Sequence, residues 1–264
     1  QYKIFHLVAS EPPSAPRSDA GFLIGPIPNE EYCTPESFAA TTQANPSWRN
    51  SKVAAWLWYR GDLFRGFQAQ VVGPSVQQSL QRALLASGLS VTPAPAGRTD
   101  RGVHARMQVV SFKIPHLTTL ETLAIDLSKH LPEGLGICAI ARAEPKFHAQ
   151  WCALGKEYRY RLCLSTQVHS EWRNLAWIPS HEPRIATSLG AKTIAPERLA
   201  ELLAKCVGRR DFISFHEKSS PRRQRTVSCA QVVERGGGLY EIRVRGDCFA
   251  RYQIRYLVGS SVAV

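Results

Sequence analysis

The sequence predicts an α+β protein whose central sheet is made from two similar α/β halves. In residues 52–165, and again in residues 195–264, short apolar or alternating stretches typical of strands are interleaved with stretches of helical periodicity. A run of three glycines, residues 236–238, separates two alternating segments, which indicates a hairpin and therefore antiparallel pairing. We therefore expect a mixed or antiparallel central sheet flanked by helices.

The first half begins where the composition changes at Lys52. Residues 9–50 are rich in Pro, Ser, Ala, Thr and Asn and show no sustained periodicity, so residues 1–51 are expected to form an extension of unknown role. After them the pattern predicts, in order, a buried strand at 53–59, a helix that Pro74 opens and Gly88 ends, a strand at 107–112, a helix at 118–130, and strands at 135–141 and 157–164. In the last of these strands, Tyr158, Tyr160 and Leu162 share one face.

The second half repeats this alternation of helices and strands. Its pattern predicts a helix at 196–206, a strand at 227–234, the glycine hairpin, a strand at 239–244 and a closing helix at 249–264. We assign residues 52–165 to an N-terminal half and residues 166–264 to a C-terminal half of one domain.

The charge of the chain indicates a polyanionic partner. The 33 Lys and Arg residues exceed the 21 Asp and Glu residues, which gives a formal net charge of +12. Such an excess attracts nucleic acid, because neutralising phosphates releases counterions. A basic surface with no role in nucleic-acid binding is the alternative.

The cysteines, histidines and apolar runs exclude several other classes of protein. The seven cysteines form no Cys-x-x-Cys pair and the eight histidines show no metal-ligand spacing, which argues against a disulfide framework and a zinc site and favours a reducing compartment. No apolar run approaches the roughly 20 residues that a membrane-spanning helix needs. We expect neither a metal ion nor a membrane partner.

The segment from Ala96 to Ala105 is the candidate for chemistry. Gly97 and Gly102 permit tight backbone geometry on either side of a charged tetrapeptide, and Arg98 and Arg101 favour the ionised form of Asp100. From the residues alone, a charged turn that caps a strand explains the pattern better than a catalytic role does.

The same segment, Gly-Arg-Thr-Asp-Arg-Gly-Val-His-Ala, resembles the signature of the TruA family of pseudouridine synthases at every fixed position. Further matches follow in the family's order over residues 52–264. They are Arg65-Gly66-Phe67-Gln68, Phe147-His148-Ala149, Lys156-Glu157-Tyr158-Arg159-Tyr160, Asp211-Phe212-Ile213-Ser214-Phe215, Arg225-Thr226 and Phe249-Ala250-Arg251-Tyr252-Gln253-Ile254-Arg255-Tyr256-Leu257-Val258-Gly259. The resemblance implies the pseudouridine synthase fold.

The resemblance also implies a site assembled from distant segments. Asp100 is then the catalytic carboxylate, Arg255 pairs with it, and Tyr158 stacks on the target uracil and assists proton removal. Phe249 lines the pocket, and Arg98 displaces the target base. The residues alone leave other roles open: a core aromatic for Tyr158 and Phe249, and an exposed helix cation for Arg255.

A wider set of basic residues is expected to contact the RNA. This set comprises Arg101, His104, Lys218, Arg222, Arg223 and Arg225. The last four flank Pro221 in a loop-like stretch, where a solvated loop is the competing explanation.

The resemblance therefore predicts a cofactor-free tRNA pseudouridine synthase that acts in or near the anticodon stem-loop. It implies a homodimer, a cytoplasmic location or an organellar matrix, and further structure beyond Val264. The alternatives are a non-catalytic RNA-binding or assembly factor on the same scaffold, and a synthase that acts on ribosomal or organellar RNA.

Overall fold

The computed structural model describes residues 4–6, 50–165, 175–181, 194–217 and 223–263. The described chain divides into two compact units. The first lies within residues 6–153, and the second comprises the described residues from Leu154 onwards together with Ile4 and Phe5 of the three-residue strand β1 (Ile4–His6). Within the described residues, each unit contains an antiparallel sheet and two α-helices. The predicted α+β class is confirmed.

The first unit is built on a long central strand. Its strands are β2 (Asn50–Tyr59), β3 (Ala94–Pro95), β4 (His104–Pro115) and β5 (Leu135–Ala143), and its helices are α1 (Val76–Ala86) and α2 (Leu120–His130). Strand β2 pairs antiparallel with β4 on one side and with β5 on the other, and β3 pairs with β4.

Helix α1 forms as predicted, although it begins two residues after Pro74 and ends two residues before Gly88. The Ser75 side chain accepts a hydrogen bond from the backbone N–H of Gln78, which satisfies one of the free donors of the first turn. Gly88, with φ +79°, follows the last turn in the left-handed conformation that favours glycine. The apolar side of the helix, with Leu80 and Leu84, is fully buried.

The two faces of the first sheet differ. Helices α1 and α2 pack against the face that carries Val53, Ala55 and Leu57, and burying each large aliphatic side chain there contributes roughly 1.5–3 kcal/mol. The opposite face carries Ala54, Trp56, Met107 and Ala141, against which Phe147 packs from the loop after β5.

Besides Ile4 and Phe5 of β1, the described residues of the second unit form four strands in the order β6-β9-β8-β7. The strands are β6 (Lys156–Cys163), β7 (Gly208–Asp211), β8 (Gln224–Glu234) and β9 (Leu239–Gly246), and the helices are α3 (Pro196–Ala204) and α4 (Gln253–Ala263). All three pairings are antiparallel. Residues 236–238 turn β8 into β9 with φ angles of +85°, +60° and +75°, so the glycine run does form the predicted hairpin.

The structure corrects two of the expectations. The closing helix begins at Gln253 rather than Phe249, because Tyr252 adopts a left-handed φ of +62° that a continuous helix cannot contain. Strand β2 begins at Asn50, three residues before the predicted start of that strand. Of the expected extension, residues 1–51, the structure describes only Ile4–His6 and the first two residues of β2.

None of the described helices has the length and apolar character that crossing a membrane requires.

Candidate functional site

The loop that carries Asp100 connects β3 to β4. Its two ends are held by backbone hydrogen bonds, from Ala96 N to the Val109 carbonyl at 2.7 Å and from Val103 N to the Asp100 carbonyl at 3.1 Å. Arg98 and Arg101 are exposed, Asp100 is half-buried, and Thr99 between them is buried. The loop is therefore anchored by the buried Thr99, while the charged side chains on either side of it reach solvent.

Thr99 anchors the loop to the sheet through side chains. Its Oγ1 lies 2.8 Å from the hydroxyl of Tyr59, the last residue of β2. Gln108 Nε2 donates to the Gly97 carbonyl at 2.6 Å and to the Tyr59 hydroxyl at 3.4 Å. Burial of Tyr59 raises its pKa to about 12, although both hydrogen bonds oppose the rise, so the phenol stays protonated at neutral pH.

The turn after β2 holds the same loop through backbone contacts. Phe67 N donates to the Thr99 carbonyl at 2.9 Å, and Gly102 N donates to the Gly61 carbonyl at 3.2 Å. A Cβ atom on Gly61 would overlap the backbone of Val103. Gly66 has φ +102°, and a Cβ atom there would lie 2.8 Å from the Thr99 carbonyl oxygen. Both glycines are required for this close approach.

His104, the first residue of β4, contacts the turn after β2, which in turn holds the Asp100 loop. Its side chain is buried, and Nδ1 lies 3.9 Å from Asp62 Oδ1, while Arg60 forms an ion pair with the other carboxylate oxygen of Asp62 at 2.8 Å. Burial favours this supporting role over the RNA contact that the resemblance implied for His104.

In the second unit the structure brings together two of the predicted pocket residues. Tyr158, half-buried on β6, meets the ring of Phe249 edge to face, with 5.1 Å between ring centroids and 85° between ring planes. Such pairs contribute about 0.5–1.5 kcal/mol beyond the area that they bury. Tyr158, Tyr160 and Leu162 alternate along the strand as predicted, and Tyr160 and Leu162 are fully buried.

Arg255 lies in the first turn of α4, with its guanidinium 5.2 Å from the centre of the Tyr252 ring. Arg251 contacts the same ring at 4.9 Å and forms an ion pair with Glu217 at 3.1 Å. The helix start is fixed because Gln253 Oε1 accepts from Ala250 N at 2.9 Å. The ring of the left-handed Tyr252 thus contacts two arginines at the point where α4 begins.

The predicted basic cluster is only partly described. Arg223 is exposed, whereas Arg225 lies on strand β8 and is 2% exposed, which corrects the expectation of a loop and favours a structural role for this arginine. Lys218 and Arg222 lie outside the described residues.

The second sheet carries a charged array that was not predicted from the sequence. Directly opposite residues of β6 and β9 place two glutamates and four arginines on one face of the second sheet: Glu157, Arg159, Arg161, Glu241, Arg243 and Arg245. The signal was present, because charged residues occupy every second position in both segments.

Glu241 organises this array. It lies 2.9 Å from Arg235 and 2.8 Å from Arg243. Its burial would raise its pKa, but these hydrogen bonds and the charge of Arg159 outweigh burial, so the pKa is lowered. Arginines exceed glutamates here, which gives this sheet face a positive charge.

The predicted site residues are thus distributed over both units. Asp100 with Arg98 and Arg101 belongs to the first unit, and Tyr158, Phe249 and Arg255 belong to the second. The pairing of Asp100 with Arg255 stays a prediction.

Comparison with known proteins identifies relatives along most of the chain. A tRNA pseudouridine synthase A of Neisseria gonorrhoeae is 34% identical over 220 residues, which are 82% of this chain and 78% of that protein. The Moorella thermoacetica protein of the same name is 34% identical over 213 residues, covering 79% of this chain and 82% of the relative. That of Sinorhizobium fredii is 33% identical over 211 residues, covering 76% and 79%.

Two other comparisons add nothing to this assignment. No family model matches the chain. A chain from the solved structure "Crystal Structure of a Cbf5-Nop10-Gar1 Complex" aligns with a TM-score of 0.34 and 13% identity, covering 84% of this chain and 52% of that one, a likeness too low to carry an argument.

The identity and coverage of the relatives agree with the motif around Asp100: this chain belongs to the tRNA pseudouridine synthase A (TruA) family and is an enzyme of the pseudouridine synthase class.

Proposed function

We propose that this protein isomerises uridine to pseudouridine in tRNA, in or near the anticodon stem-loop, with Asp100 as the catalytic group. The observation that carries the proposal is the construction of the Asp100 loop. Four contacts hold it, from the Tyr59 hydroxyl to Thr99, from Gln108 to Gly97, from Phe67 N to the Thr99 carbonyl and from Gly102 N to the Gly61 carbonyl. A merely solvated turn needs no such support.

The reaction breaks the bond between nitrogen 1 of uracil and carbon 1′ of the ribose, and forms a bond from carbon 5 of the ring to the same carbon. The proton lost from carbon 5 is balanced by the proton gained at nitrogen 1. Asp100 fits this task as a nucleophile towards the base or the sugar, or as a base that starts elimination at the sugar. Because the isomerisation exchanges no electrons or groups with an external reagent, we propose that no cofactor takes part.

The other site residues act around the carboxylate. Arg98, exposed beside Asp100, would take the place of the target base, whose removal from a paired stem costs a few kcal/mol. Tyr158, held edge to face by Phe249, would stack on the displaced uracil and assist proton removal. Arg255 would pair with Asp100 and keep it ionised.

The cytoplasmic location and the homodimer are also proposals. The bacterial relatives support the first, and sedimentation of the purified chain tests the second.

Mapping of pseudouridine tests the function and separates its alternatives. Unmodified tRNA transcripts are incubated with the protein, and pseudouridine is mapped at single-nucleotide resolution; the proposal expects conversion in or beside the anticodon stem. RNA binding without conversion of any transcript would favour a non-catalytic assembly factor. A synthase with another substrate would be favoured if cells that lack the protein lost pseudouridines from ribosomal or organellar RNA but not from tRNA.

A further inference from the structure

An exposed aromatic stack lies in the loop after β5. The rings of His148 and Trp151 stack with 4.1 Å between centroids and 20° between planes, and Trp151 is 79% exposed. The imidazole covers one face of the indole, so most of the remaining aromatic surface meets solvent. A single exposed apolar residue is common, so its meaning depends on what surrounds it.

The loop that carries the stack is firmly held. The backbone N–H groups of Trp151 and Cys152 donate to the His148 carbonyl at 3.0 and 2.9 Å. Ala149 N donates to the buried Ser111 Oγ of β4 at 3.1 Å, and Phe147 packs against the sheet. The indole is therefore presented in a fixed position, which lowers the entropy that a ligand must overcome on binding.

Two lysines lie on the same face of the first sheet as this loop. Lys52 of β2 is directly opposite Lys113 of β4, and side chains at opposite positions of antiparallel strands share a face, with Cβ atoms about 5 Å apart. Ser111, which binds the loop, is two residues from Lys113 and so shares that face. The pKa of Lys52 is lowered, mainly by partial burial and to a smaller extent by the charge of Lys113. An anion bound beside the two lysines would therefore relieve the repulsion between them.

We propose that Lys52, Lys113, His148 and Trp151 form a binding surface for an unpaired nucleotide of the RNA substrate, with a base stacked on Trp151 and its phosphates beside the two lysines. We call it the Trp151 surface. The assignment deepens the proposed function and rests on it for the identity of the RNA. No part of the site around Asp100, Tyr158 or Arg255 is included in it.

Charge favours RNA over a protein as the occupant. Protein–protein interfaces are depleted in lysine, which is costly to dehydrate, whereas lysines beside an aromatic platform are typical of proteins that bind single-stranded nucleic acid. The net charge of +12 likewise favours a polyanion over a second copy of the chain.

The aromatic part of the surface is tested by Trp151→Ala and Trp151→Phe. Affinity is measured by fluorescence anisotropy with two probes, a fluorescein-labelled single-stranded oligouridylate and an unmodified tRNA transcript. Trp151→Ala should weaken binding about tenfold, and Trp151→Phe, which keeps a stacking ring, should remain within about threefold of the wild type. Leu117→Ala is the matched control, because Leu117 is 91% exposed in the same unit, and it should leave affinity unchanged.

The lysines are tested by the salt dependence of binding. For single strands, each phosphate contact that is lost makes the slope of log affinity against log salt concentration less steep by about 0.7. The double variant Lys52→Gln, Lys113→Gln should therefore have a slope that is less steep by about 1.4. Lys129→Gln is the control, since Lys129 is exposed on α2 and paired with Asp126, and its slope should match that of the wild type.

The inference would be overturned if Trp151→Ala bound RNA with wild-type affinity and the double lysine variant showed the wild-type salt dependence of binding. So would a changed sedimentation coefficient in Trp151→Ala with unchanged RNA affinity, because the occupant would then be a protein. Pseudouridine formation is assayed separately on the same wild-type sample. If it is absent while the binding effects are observed, the proposed function fails and the Trp151 surface stands.

Discussion

The hydroxyl of Tyr59 lies 2.8 Å from the hydroxyl of Thr99, and both side chains are buried. This hydrogen bond ties the end of the central strand β2 to the residue immediately before Asp100. A catalytic group has to be held within about 0.5 Å of its productive position, and flexible loops rarely achieve this unaided. The sheet of the first unit therefore sets the position of the Asp100 backbone.

Replacing Tyr59 by Phe removes this anchor without removing the ring. We expect the free energy of unfolding to fall by about 1 kcal/mol, because Thr99 and Gln108 each lose a buried partner. We expect kcat to fall about tenfold with unchanged RNA affinity, since the loop is loosened rather than removed. Single-turnover kinetics and urea denaturation measure the two effects. In a double-mutant cycle with Thr99→Val the effects should not add, and full additivity would show that the two hydroxyls act independently.

Replacing Gly66 by Ala should displace the same loop from the other side. The added Cβ would lie 2.8 Å from the Thr99 carbonyl oxygen, and φ is +102°, so we expect a loss of activity of about 100-fold. Gly88→Ala is the matched control: φ is +79° there, but no atom lies within 4 Å of the added Cβ. It should cost about 1 kcal/mol of stability and leave kcat intact. Equal kcat values for the two variants would refute the role assigned to Gly66.

Replacing Glu241 by Gln should destabilise the second unit in a pH-dependent way. The buried carboxylate balances several arginines, and removing its charge should cost about 3 kcal/mol at pH 7. Its pKa is lowered below the ordinary value of 4.5, so its stabilising contribution is present above pH 4.5 and is lost as the pH falls through the lower folded-state value.

Denaturation at pH 7 and at pH 3 measures this dependence. The gap between wild type and variant should narrow at pH 3, because the carboxylate of the unfolded wild-type chain, whose ordinary pKa is 4.5, is then protonated and the unfolded state is favoured. Glu234→Gln, at an exposed position at the end of β8, should show no such gap at either pH. A gap for Glu241→Gln that stays constant with pH would exclude the charge as its cause.

Much of this architecture could be predicted from the sequence because its elements carry strong local signals. The apolar period of α1, the Gly88 that follows it and the glycine hairpin between β8 and β9 are each encoded within a few residues. Strands β3 and β7 were missed because runs of two and four residues carry no periodicity of their own. Their pairing depends on neighbours that are distant in sequence.

The sequence offered candidates for the site residues, but it did not predict the contacts that support them. The resemblance named Asp100, Tyr158, Arg255 and Phe249, and the structure places the last of these against Tyr158. No local pattern connects Tyr59 to Thr99, which are 40 positions apart, so their hydrogen bond emerges only from the fold. The closing helix was predicted four residues too long because a tyrosine gives no sign in the sequence that its backbone will be left-handed.

Replacing Tyr252 by Asn tests whether this residue positions Arg255. Asparagine tolerates left-handed φ, so the backbone is kept while the ring that both arginines contact is lost. We expect kcat to fall about tenfold with KM little changed. Stability should fall by about 1 kcal/mol, because Tyr252 and Arg255 are half-buried and lose a cation–π contact. Tyr256→Asn, at a 45% exposed position of the same helix, should leave kcat unchanged. A rise in KM at constant kcat would instead indicate that Tyr252 binds RNA.

The central claim is that the Asp100 carboxylate performs the chemistry. The most direct test measures pseudouridine formation in an unmodified tRNA transcript under single-turnover conditions. The wild type is compared with Asp100→Asn and Asp100→Ala. Both variants should form no detectable pseudouridine, while each binds the transcript within about threefold of the wild-type affinity and unfolds at a similar urea concentration. Pseudouridine formation by either variant at the wild-type rate would contradict the assignment.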